Sequence, residues 1–264
     1  MTLIRFTLLF LFLIPCAIVN AASAGKRIVD LATHQEMVLY AIATDYGMIG
    51  LGVTYHDPKA DISKRVADYK KNLSELLKVA PTAFSADQQK KMAGIWAEVE
   101  AAVVAPVDKA AMQKLYNNTK TLEKIFQTLA EAQAAKDHNA KEEVYVLVGE
   151  LGMEGQRLAA LYMMKVWGAG DAALISKEMH EVFKEVQDIF DKLEKLQEGE
   201  DAKAKAMIAK VEKDVLLLEH LVESEKSFPV LVEKSVERLM EEVEELLTYV
   251  SAFISRTYEA YVFV

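Results

Sequence analysis

The segment AKEEVYVLVGELGMEGQRLAALYMMKVW, residues 140–167, constrains the fold more than any other stretch. It holds no proline, and its apolar residues recur with a helical period. On a helical wheel Val144, Leu147, Leu158 and Tyr162 fall within about 40° of Leu151. Met153, Ala160, Met164 and Trp167 gather on the opposite side. A helix that is apolar on two sides must be covered on two sides. Arg157 lies beside Met164 on the second stripe. A guanidinium stays ionised and is costly to bury alone, so it must reach water, meet an acid or hold a ligand.

The rest of the chain reads as helix too. Only 5 prolines and 11 glycines punctuate its 264 residues, and the commonest residues are good helix formers. No alternation of apolar and polar residues is long enough to suggest a sheet. Asp57-Pro58, the capping box Ser85-Ala86-Asp87-Gln88, Asp108, Asn139 with Glu142, Gly168-Ala169-Gly170-Asp171, Gly199-Glu200-Asp201 and Phe228-Pro229 mark helix starts. The first helix is expected to loosen at Gly47, Gly50 and Gly52, and Pro81 and Pro106 to stop the second and third. This punctuation predicts eight helices, and its order repeats with a period of about 120 residues. Setting Gln35 over Gln156 aligns QEMVLYAIATDY with QRLAALYMMKVW. The expected class is all-α: two tandem up-down four-helix bundles, residues 25–136 and 137–264, after a signal peptide at 1–24. The alternative is one irregular eight-helix domain.

The leader MTLIRFTLLFLFLIPCAIVNAASA carries one cation, Arg5, then an apolar run and an Ala22-Ser23-Ala24 site, so cleavage is expected before Gly25. Its apolar run is shorter than the ~20 residues a spanning helix needs. Cys16, the only cysteine, lies inside it. The exported chain would therefore hold together without a disulfide. The formal charge of −9 argues against nucleic acid and anionic membrane surfaces as partners. The expected location is the periplasm.

Under the Gln35/Gln156 alignment each opening helix carries one charge on its second apolar stripe, and the charges are opposite: Glu36 and Arg157. The two opening helices would then approach each other with Glu36 and Arg157 paired. Two other readings stay open: Arg157 snorkels to water, or it binds an anion.

VGELGMEGQRLAALYMMK, residues 148–165, resembles the signature of the PilJ/NarX-like sensor domain. That is the N-terminal domain of type IV pilus methyl-accepting chemotaxis transducers. Its usual pattern is close to A-G-R-Q-R-M-L-S-Q-R-M-A-K, on the first helix of a periplasmic four-helix bundle. Gln156, Arg157, Leu158 and Lys165 fit it; Leu161-Tyr162 stand where a second Gln-Arg would be. The first half resembles a more diverged copy, keeping Gln35 and Met37, with Glu36 in the arginine's place. The resemblance covers about residues 26–250 as two copies. It implies a sensory or ligand-binding module. In the nitrate-sensing branch the first-helix arginine meets its mate in a dimer and holds an anion, and Arg157 is the matching position. A two-arginine site would here require Arg157 from each of two chains, a homodimer.

Catalytic and cofactor chemistry finds little support. None of the five histidines sits in H-E-x-x-H or in the E-x-x-H spacing of di-iron bundles. C-x-x-C-H, G-x-S-x-G and a phosphate-cradling glycine loop are all missing from the sequence. The expectation is therefore a non-enzyme without cofactor or metal: an envelope ligand-binding or sensory accessory with a protein partner. Its candidate contacts for a small anion or polar ligand are Gln156 and Arg157, with Glu36 and Gln35 as competing occupants of the seam. The alternatives are a structural partner-binding bundle and a haem- or metal-carrying bundle.

Overall fold

A computed structural model describes residues 15–137, 140–196, 202–224 and 226–262. The architecture is all-α, with no strand among the described residues. The helices are α1 (Pro15–Leu51), α2 (Pro58–Val79), α3 (Ala86–Val104), α4 (Lys109–Asp137), α5 (Ala140–Trp167), α6 (Ala172–Leu196), α7 (Ala202–Glu223) and α8 (Pro229–Val262). Residues 1–14 of the expected leader lie outside the described residues, as do Asn139 and Gly199-Glu200-Asp201. Among the described residues no helix is long and apolar enough to cross a membrane.

Local chemistry sets the helix ends. Asp57 accepts from the Ala60 amide at the start of α2. Ser85 and Gln88 form the reciprocal capping box of α3. Asp108 accepts from the amides of Ala110 and Ala111, and Asp171 from those of Ala173 and Leu174. Each bond satisfies an amide that the first helical turn leaves open.

The first helix does not loosen at Gly47 or Gly50. It runs on to Leu51, because these glycines admit neighbours instead of bending the chain. A side chain at Gly47 would collide with Met163, and one at Gly50 with the Trp167 ring. Only Gly52 leaves the helix, at φ 68°, and Gly168 ends α5 in the same way at φ 69°. The closing bonds correspond. Val53 and Gly52 donate to Met48 and Ile49, and Ala169 and Gly168 donate to Met164 and Lys165.

α1 and α5 form the centre. They run parallel, since Thr33 abuts Gly149 and Gly47 abuts Met163, a constant offset of 116 (149 − 33 and 163 − 47). α2 and α4 pack on α1, while α6 and α8 pack on α5; α3 lies on α4 and α7 on α8. One apolar core passes through all eight helices. From Val144 to Met164, α5 is buried nearly all round, half-buried only at Glu150 and Arg157. The two stripes read from its sequence are thus covered from both sides.

The offset of 116 recurs in a tyrosine that ties each opening helix to the fourth helix of its half. The Tyr46 hydroxyl accepts from the Asp108 amide just before α4, at 3.1 Å. The Tyr162 hydroxyl accepts from the Phe228 amide just before α8, at 2.5 Å. Gln35 and Gln156 are 121 apart, five residues out of this register.

Candidate functional site

Arg157 leaves α5 between α4 and α6. Its side chain is only 12% exposed, so it does not snorkel to bulk water. Nη1 lies 2.9 Å from Glu185 and 3.2 Å from Glu154; Nη2 lies 3.0 Å from Glu178. Nε donates to the Tyr116 hydroxyl at 3.4 Å. Glu178 is further held by Tyr116 at 2.8 Å and Lys120 at 2.6 Å. Burial opposes the charge on Arg157, but Glu154, Tyr40 and Tyr116 outweigh it and raise its pKa further. Burial would raise Glu178 as well; hydrogen bonds from Lys120, Tyr116 and Arg157 win and lower it. The Glu178 contacts clasp α4 to α6 across α5.

Glu36 is not the partner of Arg157. The contact register sets Ala41 opposite Arg157, and Glu36 lies five residues before Ala41, about 7.5 Å along the axis. Glu36 is 2% exposed, and its Oε1 has no hydrogen-bond partner among the described residues. Burial raises its pKa strongly, and the charges of Glu123, Glu150, Glu131 and Glu154 raise it further. Gln35 turns elsewhere, its Nε2 donating to the Tyr69 carbonyl on α2 at 3.0 Å. Gln156 is buried, and its carbonyl accepts from Thr44 of α1 at 3.4 Å. The structure therefore brings Arg157 to a cluster of acids but does not gather Gln35, Glu36, Gln156 and Arg157 into one seam. Nor does it present Arg157 as an open anion receptor, because carboxylates already occupy its donors.

Beyond the clasp, α4 and α6 stand apart over α5 and leave a cleft of about 370 Å³. Glu150, Met153, Glu154 and Arg157 of α5 form its floor. Glu123, Gln127 and Glu131 line the α4 wall, and Glu185, Asp188 and Ile189 the α6 wall. Lys120, Lys124 and Lys192 also line it, the last two from exposed positions at the rim. Glu123 and Glu154 are buried. Tyr40 of α1 reaches through to donate to Glu123 at 3.3 Å. Burial is the main cause raising Glu150 to about 7 and Glu154 to about 8, and it raises Glu123 too.

These acids were not singled out in the sequence, yet signals for them exist. Glu150 and Glu154 are the i,i+4 acids of an otherwise apolar segment. Glu178 and Glu185 lie seven apart, on one edge of the α6 stripe of Ile175, Met179, Val182 and Val186.

A second polar cluster lies against α1. Arg65 of α2 donates to Asp45 of α1 at 2.7 Å. Buried Glu233 of α8 stands close enough to Asp45 to feel its charge. Burial raises Asp45 to about 7 and Glu233 to about 8. Among the described residues no group of three or more His, Cys, Asp or Glu is arranged to hold a metal ion.

Comparison with known proteins finds no matching family model, no matching curated protein and no matching solved structure.

Proposed function

We propose that the chain is an exported, non-enzymatic ligand-binding or sensory accessory of the cell envelope, with its ligand site in the cleft between α4, α5 and α6. One observation carries this reading. A half-enclosed cleft has a floor of buried ionisable groups around a single arginine, an expensive arrangement for a purely structural bundle. The leader, with its Ala22-Ser23-Ala24 site, supports export to the periplasm. The resemblance of residues 148–165 to the PilJ/NarX-like signature supports a sensory role. Matched Gly52/Gly168 caps and matched Tyr46/Tyr162 ties support two diverged four-helix copies, 25–136 and 137–264, set side by side on α1 and α5. A signalling role requires a protein partner to receive the bound state.

A thermal-shift screen with small anions, zwitterions and organic cations tests this. A true ligand at about 100 times its Kd adds about 2.7 kcal/mol, a shift of roughly 5 °C or more for a chain this size. Asp188→Trp, placed on the exposed cleft wall, should keep the unliganded melting temperature and abolish the shift. A screen in which no class stabilises the wild type would reject the reading. It would favour a structural partner-binding bundle, for which Leu216, Leu217, Val230 and Leu231 offer exposed apolar side chains on α7 and α8.

A further inference from the structure

The groove between α3 and α4 inverts the charge balance of the chain. The sequence has 40 Asp and Glu against 31 Lys and Arg, a formal charge of −9. This groove of about 470 Å³ is lined by Lys91, Lys120 and Lys124, and among the described residues no Asp or Glu lines it. It adjoins the cleft between α4, α5 and α6, because Lys120 and Lys124 line both. Packing sets its walls. The short connection at 105–108 makes α3 and α4 antiparallel, and Glu98 of α3 meets Lys114 at 3.3 Å and Asn118 at 3.0 Å on α4. Seven residues back on α3 correspond to seven residues onward on α4, so Lys91 stands level with residues 121–125. Gln88, three residues earlier, stands level with residues 124–128. Lys91 therefore lies across the groove from Lys124, and Lys120 is one turn away from Lys124, about 6 Å along α4. Half-buried Thr121 and Ile125 form the floor.

The donors of this groove are not spent within the fold. Lys91 and Lys124 are exposed and make no ion pair among the described residues. Lys120 gives Glu178 one of its three N–H donors. Gln88 uses its side-chain carbonyl on the Ser85 amide, closing the capping box of α3, and so keeps its NH2 as a donor. The acids that could neutralise these lysines are engaged elsewhere. Glu98 is held by Lys114 and Asn118, Glu100 by Lys70 of α2, and buried Glu123 by Tyr40 of α1. Three ammonium groups and an amide thus converge from two helices with no carboxylate between them. The net charge of the chain repels anions, so only a local arrangement of this kind can hold one. An ion with a single charged group reaches one end of the groove. An ion with groups about one helical turn apart reaches Lys120 and the Lys91–Lys124 pair together.

We propose that the α3–α4 groove is a second binding site, which takes an elongated oxyanion with two or more negative groups about one helical turn apart. Lys91 and Lys124 hold one end, Lys120 the other, and the Gln88 amide donates from the α3 wall. A polycarboxylate and a polyphosphate share this chemistry. The site is independent of the cleft between α4, α5 and α6 and goes beyond the ligand-binding reading of that cleft.

The test is titration calorimetry of the purified chain at low ionic strength with sodium triphosphate, citrate and orthophosphate. Triphosphate or citrate should bind at least about tenfold more tightly than orthophosphate, and the tighter of the two names the source of the oxyanion. Lys91→Ala should weaken that ligand about tenfold, whereas Lys71→Ala, on the exposed face of α2, should change it less than about twofold for the same loss of charge. Gln88→Glu is the sharpest variant. Glutamate also completes a capping box, so the melting temperature should hold while the new carboxylate weakens binding about tenfold or more. Lost binding in a chain that melts like wild type cannot come from a structural role. Asp188→Trp, which fills the cleft, should leave anion binding intact. Should it abolish binding instead, the anion sits in the cleft, which overturns the groove and supports the cleft reading. Silence with all three anions, or equal weakening by Lys91→Ala and Lys71→Ala, would also overturn the groove. The cleft reading would then stand or fall on the thermal-shift screen alone.

Discussion

The polar cleft beside α5 and the polar cluster beside α1 place opposite charges on the central helix. Beside α5 the arginine stands on the central helix, and the acids reach it from α6 and from one turn earlier on α5. Beside α1 the acid, Asp45, stands on the central helix and Arg65 reaches in from α2. Arg157 is 12% exposed and meets three carboxylates; Arg65 is 31% exposed and, among the described residues, pairs with Asp45. The two sites therefore resolve buried charge differently. In the first, one trapped cation balances several acids and draws two outer helices together. In the second, the cation keeps water on one side, and buried Glu233 is left to hold its proton.

The sharpest way to break this comparison is to remove each arginine in turn. Arg157→Met leaves Glu154 buried without its cation and takes away the group Glu178 and Glu185 share. Orphaning a buried charge costs about 3–5 kcal/mol. Arg65→Met should cost about 1 kcal/mol, because the pair is partly solvated. Chemical denaturation of both variants at pH 7 measures this. Equal losses would show that the α4–α6 clasp contributes no more than an ordinary half-exposed pair.

What could be read from the sequence follows the range of the interactions involved. Asp57, Ser85 with Gln88, Asp108 and Asp171 bond to amides two or three residues away, so they mark helix starts without any knowledge of the fold. The double stripe of α5 was legible for a similar reason, since a wheel needs only one helix. The partner of Arg157 was not. Pairing it with Glu36 assumed that similar residues stand side by side. The actual register is fixed where Gly149 admits Thr33 and where Gly47 and Gly50 admit Met163 and Trp167. That close packing shifts the helices five residues from the similarity alignment. It swings Glu36 towards α4 and leaves Arg157 to α6. The cleft acids were hidden differently: on α4 and α6 they look like an ordinary solvated face, and only the joint packing of α4 and α6 on α5 turns that face inward.

Glu233 sharpens the second half of the comparison. Its folded-state pKa of about 8, raised first by burial and then by Asp45, stands above the ordinary value of 4.5. Between those values the folded state binds more protons than the unfolded state. The stability this gives is complete below about pH 4.5 and is lost as pH rises through about 8. Glu233→Gln cannot ionise, so its stability should fall less steeply than that of wild type from pH 5 to pH 9. The difference between the two curves should change by about 1–3 kcal/mol in favour of the variant at high pH. Denaturation at a series of pH values checks it, and parallel curves would mean that Glu233 is ionised throughout.

The smallest expected effect concerns the tyrosine tie that recurs on α1 and α5. Tyr46 and Tyr162 each accept an amide N–H that begins a fourth helix, from equivalent positions on the central pair. Phenylalanine keeps the ring and removes the acceptor, leaving the Asp108 or Phe228 amide to find another partner. Each substitution should cost about 1 kcal/mol. Because the bonds lie at separate helix starts, Tyr46→Phe and Tyr162→Phe together should cost the sum of the two within about 0.5 kcal/mol. Hydrogen exchange at the first turns of α4 and α8 locates the loss. Faster exchange at α4 alone in Tyr46→Phe, and at α8 alone in Tyr162→Phe, would make the ties equivalent and independent. Exchange that quickens at both helix starts in either variant would instead mean that the shared core couples the halves, so that they open together.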